Sequence, residues 1–334
     1  MNRLAVWTVL ALALLAAGPR TRLAAQAAPD VAAAASDDAN WRADLASWRA
    51  GRERAVSAAD GWLTLVGLEW LKPGFNSFGA AQDNQIQVRA QAPDHMGLLT
   101  VSGGKTAAGR SMSGPVSQAA PILQLLAPAG GFPADLTVDG APAREGQLVV
   151  TAGKATVIAW HGLTLAIQER GSRFALRIQD ANAPTRADFR SLNWYAPNAR
   201  FRVMARWIPF DTPHTEKIPT GQGTTLDMPT PGVAEFTLDG QLLHLAPVME
   251  DREGKTLFFI LRDRTSQTAT YAEARFLHTG LPDHGLEKTG TLTLDFNRLE
   301  NPACAYTPYA NCPQPPEVNR LPVALEAGEK LYAH

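Results

Sequence analysis

Six residues that can bind an anion or transfer a proton lie in otherwise apolar segments of the second half of the chain. They are Arg262, Asp263, Tyr271, Arg275, Asp295 and Asn297. An aspartate can serve as a general acid or base, and an arginine can stabilise the negative charge that develops during hydrolysis. The candidate catalytic residues are therefore Asp263 and Asp295 as acid or base, with Arg275 as the charge-stabilising group.

Arginine is concentrated between residues 170 and 206, which hold eight arginines, no lysine and only two acids. Two interpretations stay open. These side chains either face solvent and pair across strands, where each exposed pair contributes under ~1 kcal/mol, or they line a hollow and hold an anionic group. On the second interpretation the predicted ligand-binding residues are Arg173, Arg177, Arg262, Tyr271, Asn297 and Asn301.

The two cysteines of the chain, Cys304 and Cys312, lie eight residues apart in a segment rich in proline and asparagine, residues 295–320. In an oxidising compartment this spacing favours a structural disulfide. Free buried thiols and a catalytic or metal-binding role are the alternatives. A closed loop of this size stabilises a fold by about 2 to 3 kcal/mol on the chain-entropy model.

The best-known catalytic motifs are missing from the sequence. It contains neither the His-Glu-x-x-His motif of zinc proteases nor the Gly-x-Ser-x-Gly motif of α/β hydrolases. The histidines are scattered, and for each of them a surface or core role is favoured over catalysis. They stand at positions 95, 161, 214, 244, 278, 284 and 334. We therefore predict no cofactor and no metal.

Two hydrophobic periodicities predict the elements that must position these residues. Apolar side chains recur at helical spacing in residues 38–58, which indicates one amphipathic helix. Further along, apolar and polar residues mostly alternate. In residues 173–180 the side chains of Phe174, Leu176 and Ile178 share one face, as expected for a β-strand with one buried side.

The predicted fold is mainly β, with an antiparallel sandwich or barrel-like body, one N-terminal amphipathic helix and an irregular C-terminal strap. Residues 28–37 are predicted to form a loose leader. Residues 38–185 then form the helix and one β half, and residues 186–334 form a second β half with a disulfide-pinned strap. Because all-β folds of this size can be single domains, the two halves can also be one continuous domain.

The first 27 residues have the pattern of a cleaved signal peptide. An apolar run from Leu4 to Gly18 follows Arg3, and Ala25 and Ala27 offer the small residues that a signal peptidase reads. A membrane anchor is the alternative, but the run is shorter than the ~20 residues of a spanning helix. The expected location is periplasmic or secreted, with no membrane span after cleavage.

The charge of the chain argues against nucleic acid as a partner. The formal net charge is -1, and loss of the three arginines in residues 1–27 leaves 28 basic and 32 acidic side chains. Binding to phosphates needs a basic surplus. A small molecule is the expected partner, and the oligomeric state is not predicted.

Several segments together resemble a known family. They include "DGWLTLVGLEWLKPGFNSFG" near the start, "LRDRTSQTATYAEARFLHT" later, and "LTLDFNRLENPACAYTPYANCPQPPEVNRLPVALEAGEK" at the end. The chain resembles the bacterial family catalogued as domain of unknown function 1684 over most of residues 41–330. The resemblance implies a protein that is often exported or membrane-anchored, and it brings no established activity.

The chain departs from the family pattern at one place. Family members tend to read Asp-Phe-Asn-Arg-Ala-Tyr-Asn-Pro-Pro-Cys, whereas this chain has Leu299 and Glu300 before Asn301. If the family tyrosine serves a site, Glu300 puts that role in doubt here.

Three functions remain as hypotheses. The first is an exported protein that binds a small anionic or carbohydrate-like ligand in a cleft lined by arginine and aspartate. The second is a hydrolase with an aspartate as general acid or base and arginine for charge stabilisation. The third is a structural or interaction module of the cell envelope.

Overall fold

A computed structural model describes residues 27–102, 122–150, 154–170, 173–221, 223–250 and 254–333. The predicted signal peptide, residues 1–27, lies outside these ranges except for its last residue. The chain divides into two compact units between Asp44 and Leu45, and every described strand belongs to the second unit. None of the described helices is both long enough and apolar enough to cross a membrane.

Helix α1 spans Ala27–Val56. Residues 28–37, predicted as a loose leader, are part of this helix, in keeping with the high helix propensity of alanine, and their role as a leader stays a prediction. Within the first unit, Arg42 Nε lies 2.7 Å from Asp38 Oδ2, one helical turn away. The helix ends two residues before the predicted end at residue 58.

The chain turns at Gly61 after this helix. The amide of Gly61 donates to the carbonyl of Ala58 at 2.9 Å, and a Cβ at this position would collide with the carbonyl oxygen of Val56. Only glycine permits so close an approach of the two backbone segments. The turn leads into the first strand and so fixes the end of the helix beside the β body.

The described ranges contain 17 strands and, besides α1, one more short α-helix. The strands are β1 Leu65–Trp70, β2 Gly74–Gly79, β3 Ile86–Gln87, β4 Gly97–Ser102, β5 Ile122–Leu126, β6 Thr137–Val138, β7 Ala141–Pro142, β8 Gly146–Leu148, β9 Thr156–Trp160, β10 Leu163–Arg170, β11 Arg173–Asp180, β12 Arg202–Pro219, β13 Thr225–Leu238, β14 Gln241–Leu245, β15 Leu257–Leu261, β16 Arg275–Thr279 and β17 Gly290–Asp295. Helix α2 spans Pro184–Ala187, and 3₁₀ helices span Trp62–Thr64, Ala199–Phe201, Arg264–Gln267, Phe296–Arg298, Ala303–Ala305 and Glu317–Asn319.

These strands form four sheets, and the predicted mainly β, antiparallel architecture is confirmed. A six-stranded sheet has the order β1-β11-β10-β9-β6-β7, and a five-stranded sheet has the order β3-β2-β4-β5-β8. A four-stranded sheet has the order β14-β13-β12-β17, and β15 pairs with β16 in a two-stranded sheet. Of the described strand pairs only β2 with β3 is parallel, and none of the four sheets closes on itself.

Two hydrophobic clusters form most of the core. One joins the five-stranded and six-stranded sheets, with Phe78 and Leu99 from the first and Leu165 from the second. The other joins the four-stranded sheet, the β15–β16 pair and the C-terminal strap, and includes Trp207 and Phe259. The predicted boundary at residue 185 falls between these clusters along the chain, and the division into two domains stays a prediction.

Strand alternation behaves as predicted in β11 and ends early in β17. Phe174, Leu176 and Ile178 are buried, while Arg173 is exposed. In β17 the apolar side is buried as predicted, but Asp295 is buried as well because the strand ends there and the chain turns into the helix Phe296–Arg298.

The C-terminal strap, residues 296–333, is tied to the body at separate points. Cys304 and Cys312 form the predicted disulfide. Isolated bridges pair Thr220 with Pro313, Arg262 with Arg320, Phe276 with Glu300 and Trp194 with Glu329. All four bridges attach the strap to residues of the second half of the sequence.

Candidate functional site

A cleft of about 360 Å³ lies among the six-stranded sheet, the β15–β16 pair and the strap. All of its lining residues belong to the second compact unit. The sheet side provides Trp62, Leu65, Leu68, Trp70, Gln168, Ala175 and Arg177. The remaining walls are Arg52, Leu226, Glu250, Phe258, Phe276, His278, Glu300, Asn301, Pro302, Ala303, Tyr309, Ala310, Asn311, Cys312 and Pro313.

Strand alternation and one backbone bridge bring His278 and Glu300 together. Phe276 and His278 of β16 line the cleft, whereas Arg275 and Leu277, which alternate with them along the strand, are buried. The amide of Phe276 donates to the carbonyl of Glu300 at 2.9 Å, and the amide of Glu300 donates back at 3.0 Å. The strap therefore delivers the Glu300 side chain beside the imidazole.

A row of alternating charges crosses the cleft. His278 Nε2 lies 3.2 Å from Glu250 Oε2, and His278 Nδ1 lies 3.6 Å from Glu300 Oε1. The other oxygen of Glu300 lies 3.3 Å from Arg52 Nε. The imidazole also stacks on Phe258, with ring centroids 4.6 Å apart. Each charge in this row has a partner of opposite sign.

These contacts keep His278 protonated at neutral pH. Burial by itself lowers the pKa of the imidazole, but hydrogen bonds and charges from Glu250 and Glu300 outweigh burial and raise the pKa to about 9. A histidine in this state donates from both ring nitrogens and cannot act as a general base.

The row continues into the interior through Arg52 and Glu329. Arg52 Nε lies 2.9 Å from Glu329 Oε1, and Arg52 Nη2 donates to the carbonyl of Asn301 at 2.7 Å. The second oxygen of Glu329 accepts from the amide of Asn301 at 2.8 Å and from the hydroxyl of Tyr306 at 2.6 Å. The Glu329 side chain is only 1% exposed.

The protonation states of Arg52 and Glu329 follow from their burial and from the number of hydrogen-bond donors around Glu329. Burial raises the pKa of Glu329, and the charge of Arg52 lowers it in part. Burial lowers the pKa of Arg52, but the charges of Glu300 and Glu329 raise it more. The raised pKa of Glu329 favours a neutral pair with a protonated carboxyl, whereas the raised pKa of Arg52 favours an ion pair. Because three donors converge on the oxygens of Glu329, we assign an ion pair at neutral pH.

Gly328 lets the chain place Glu329 at this point. Its φ is +75°, in the left-handed region, and a Cβ would collide with the carbonyl oxygen of Leu299. The next amide, of Glu329, donates to the same carbonyl at 2.8 Å. The close approach of these two parts of the strap therefore requires glycine.

The sheet side of the cleft carries tryptophan rings and arginines. The guanidinium carbon of Arg177 lies 4.9 Å from the centroid of the Trp62 ring, and that of Arg173 lies 4.3 Å from the Trp70 ring. Trp62, Trp70 and Arg177 line the cleft, whereas Arg173 lies outside its lining. The cleft thus combines aromatic surfaces with a row of charges.

Comparison with known proteins places this chain among relatives of unknown activity. Residues 187–330 match the model of a family described as "Protein of unknown function (DUF1684)". The chain belongs to this family. It is also similar to the solution NMR structure of an uncharacterized protein from gene locus rrnAC0354 of Haloarcula marismortui. The two share 32% identity over 44% of this chain and 79% of that chain, with a TM-score of 0.38. No curated protein matches.

The segment that matches DUF1684 supplies only part of the cleft. His278 and Glu300 come from the matched residues 187–330, as does the whole strap up to Lys330. Arg52 and Trp62 come from earlier in the chain. The complete cleft therefore needs residues of the family match together with residues that precede it.

Only two of the predicted ligand-binding residues line the cleft. They are Arg177 and Asn301. Arg262 lines a separate depression. Tyr271 packs at the edge of a hydrophobic cluster that contains Tyr306, and burial raises its pKa. The six residues predicted to share one site are therefore not brought together.

The candidate catalytic pair Asp263 and Arg275 is enclosed by the fold. Arg275 Nη1 lies 2.9 Å from Asp263 Oδ2, and both side chains are 0% exposed. The guanidinium also donates to the carbonyls of Leu325 and Ala327. Asp263 accepts from the amides of Thr265 and Leu325. These contacts attach the strap to β16, and neither residue lines the cleft.

Asp295 and Asn297 have a local structural role. Asp295 caps the 3₁₀ helix Phe296–Arg298 by accepting from the amide of Asn297 at 3.1 Å. The amide group of Asn297 donates to Asp295 at 2.9 Å and to the carbonyl of Asn198 at 3.0 Å. Asn297 is 0% exposed. Neither residue lines the cleft.

The residues that form the charged row are not among the predicted site residues. Glu250, His278, Glu300 and Arg52 are separated by as much as 248 positions, so no local spacing joins them. Two signals were available. Phe276 and His278 share a face of a short strand, and Glu300 stands where family members tend to have tyrosine. Within the described residues no group of three or more His, Cys, Asp or Glu side chains could hold a metal ion.

Proposed function

We propose that this protein binds a small carbohydrate-like ligand in the cleft. The proposal depends on one observation, which is that tryptophan rings and hydrogen-bonding charged groups line the same concave surface of about 360 Å³. Pockets of roughly 300 to 1,000 Å³ are typical for small molecules.

The two sides of the cleft match the two sides of a sugar. A sugar ring presents C–H groups on its faces, which pack well on the flat apolar rings of Trp62 and Trp70. Its hydroxyl groups can donate to carboxylate oxygens such as those of Glu250 and Glu300. Arg177 and Asn311 add donors on the same surface.

The pairing of charges favours a hydroxyl-rich ligand over a simple anion. His278 is held by Glu250 and Glu300, and Arg52 is held by Glu300 and Glu329. An anion would have to compete with these carboxylates for the same cationic groups. A neutral sugar can hydrogen-bond to the row without displacing any ion pair.

The proposal is tested by thermal shift and calorimetry with glucose, galactose, mannose and cellobiose, with acetate and phosphate as anion controls. We expect at least one sugar to raise the melting temperature. The variant Trp62→Ala is expected to bind that sugar at least about tenfold more weakly, because it loses an aromatic surface.

Trp160→Ala is the matched control for this variant. Trp160 is also partly exposed, but it lies on β9 outside the cleft and its indole donates to the carbonyl of Ala134. Its sugar affinity should equal that of the wild type. No response to any sugar, or equal loss in both variants, would refute binding in the cleft.

A hydrolase is the second candidate, because the cleft places titratable groups next to one another. With the imidazole protonated, His278 would stabilise negative charge or donate a proton, and Glu300 would serve as the base for water. Glu300→Gln should then abolish the release of nitrophenol from aryl glycosides and leave sugar binding measurable. Equal turnover in this variant and the wild type would remove Glu300 from this role.

We further propose that the protein is exported. The disulfide between Cys304 and Cys312 supports this location, since such bonds persist in oxidising compartments. Expression with the native leader in a bacterial host should yield a periplasmic protein that begins at Ala28 and contains no free thiol. A cytoplasmic protein that retains residues 1–27 would contradict the proposal.

A further inference from the structure

A second depression, of about 300 Å³, is lined by three arginines. Its lining residues are Arg262, Asp263, Arg264, Arg320 and Leu321. None of them lines the cleft described above. We refer to this feature as the arginine depression.

The backbone of the strap builds the arginine depression. The amide of Arg262 donates to the carbonyl of Asn319 at 3.0 Å, and the amide of Leu321 donates to the carbonyl of Arg262 at 2.8 Å. One step further, the amide of Arg264 donates to the carbonyl of Val323 at 2.9 Å. This parallel pairing sets Arg320 beside Arg262.

The direction of Asp263 explains why the surface is basic. Its side chain is unexposed and pairs inward with Arg275. Because successive side chains of an extended chain point to opposite faces, Arg262 and Arg264 are left on the outer face. Asp263, the acid between Arg262 and Arg264, is therefore neutralised inside the fold.

Among the described residues, one exposed carboxylate pairs with a guanidinium group of the arginine depression. Arg320 Nε lies 3.3 Å from Glu317 Oε2, but the Glu317 side chain is 91% exposed. An exposed pair of this kind contributes little and is displaced easily by a more highly charged partner. In the cleft, by contrast, each charge of the row is paired with groups of opposite charge.

We propose that the arginine depression binds a phosphate-type oxyanion. Three guanidinium groups around one concavity offer planar pairs of N–H donors, whose geometry matches the oxygens of a phosphoryl group. The site is independent of the carbohydrate-like ligand in the cleft. A soluble phosphate compound and an anionic phospholipid headgroup both carry this group.

Calorimetry with pyrophosphate tests the proposal on the purified protein. We expect binding at near-physiological ionic strength and at least about tenfold weaker binding by the double variant R262Q/R264Q. The double variant R89Q/R144Q removes the same charge from exposed arginines outside the depression and should bind like the wild type.

Glu317→Gln provides a variant with the opposite expected effect. It removes the carboxylate that competes for Arg320, so pyrophosphate should bind several-fold more tightly. Because Glu317 and Arg264 are exposed, we expect the variants to fold, and their thermal melts check this.

Vesicles distinguish the two sources of the oxyanion. Co-sedimentation with phosphatidylglycerol vesicles, but not phosphatidylcholine vesicles, that is lost in R262Q/R264Q assigns a headgroup. Pyrophosphate binding without co-sedimentation assigns a soluble compound. The proposal fails if neither probe binds, or if R89Q/R144Q loses as much affinity as R262Q/R264Q.

Discussion

Arg52 and Arg275 both pair with a carboxylate in the interior, yet their surroundings differ. Arg275 and Asp263 are 0% exposed, and both terminal nitrogens of the guanidinium donate to backbone carbonyls of the strap. The pair of Arg52 and Glu329 is also buried, but Arg52 continues through Glu300 to the cleft. The pair of Arg275 and Asp263 attaches the strap to the β body, whereas the pair of Arg52 and Glu329 supports a surface that a ligand can reach.

This difference shows that residue type alone does not indicate function in this fold. An arginine beside an aspartate in an apolar strand has the composition of a catalytic pair. Here Asp263 and Arg275 pair with each other and with the backbone, and because both side chains are 0% exposed a ligand cannot reach them. What distinguishes the cleft is that its charges end at an open concavity lined by tryptophan.

The largest expected effect comes from breaking the enclosed pair. Arg275→Met leaves Asp263 charged and buried, which should lower the free energy of unfolding by about 3 to 5 kcal/mol. Adding Asp263→Leu should not restore stability, because Asp263 also accepts from two backbone amides. Urea unfolding followed by tryptophan fluorescence measures both variants.

Arg200→Met is the matched control for this experiment. Arg200 pairs with Asp239 at 2.8 Å, but both side chains are about half exposed. Its loss should cost under ~1 kcal/mol. If Arg200→Met and Arg275→Met lower the free energy of unfolding equally, burial of the pair of Arg275 and Asp263 contributes nothing to stability.

A smaller loss is expected when the pair beside the cleft is broken. Glu329→Gln should lower stability by about 2 kcal/mol, because Arg52 keeps Glu300 and the carbonyl of Asn301 as partners. It should also weaken sugar binding. Exposed Glu326→Gln should change neither. A loss of stability with unchanged sugar affinity would show that the pair of Arg52 and Glu329 does not support ligand binding in the cleft.

The smallest effect is a pH dependence that comes from His278. Its pKa is raised from 6.5 to about 9, so the stabilisation is fully present below pH 6.5 and is lost as the pH rises through 9. The side chain is 42% exposed, and solvent screening limits the effect to about 1 kcal/mol. In His278→Gln the free energy of unfolding should no longer show this decline between pH 6 and 10. An identical pH profile in the variant would contradict the assigned pairing.

The fold could be predicted where a regular period repeats. In β11 the alternation of Phe174, Leu176 and Ile178 correctly gave the buried face. The prediction for Asn297 extended the same alternation past the end of β17. There Asp295 caps a 3₁₀ helix, and the alternation of a strand no longer applies. Local pattern does not show where a strand ends when a buried side chain caps the next turn.

The site was less predictable because it is assembled by tertiary contacts. Arg177 and Asn301 were found because one belongs to a dense arginine segment and the other to the strap. Strand alternation puts His278 on one face with Phe276 but does not reveal its partners, since Glu250 and Glu300 are reached only through strand pairing and the path of the strap. The cysteine pair, by contrast, closes a short loop, and its disulfide could be inferred from spacing.

The central claim is that ligands bind at the cleft beside Arg52 and not at the enclosed Arg275. NMR spectra of the ¹⁵N-labelled protein, with and without the tightest-binding sugar, test this claim through indole and guanidinium N–H signals. The account predicts shifts for Trp62, Trp70 and Arg52. The signals of Arg275 and of Trp207, whose indole donates to the carbonyl of Leu286, should not move. Shifts at Arg275 and Trp207 with none at Trp62 and Trp70 would contradict it.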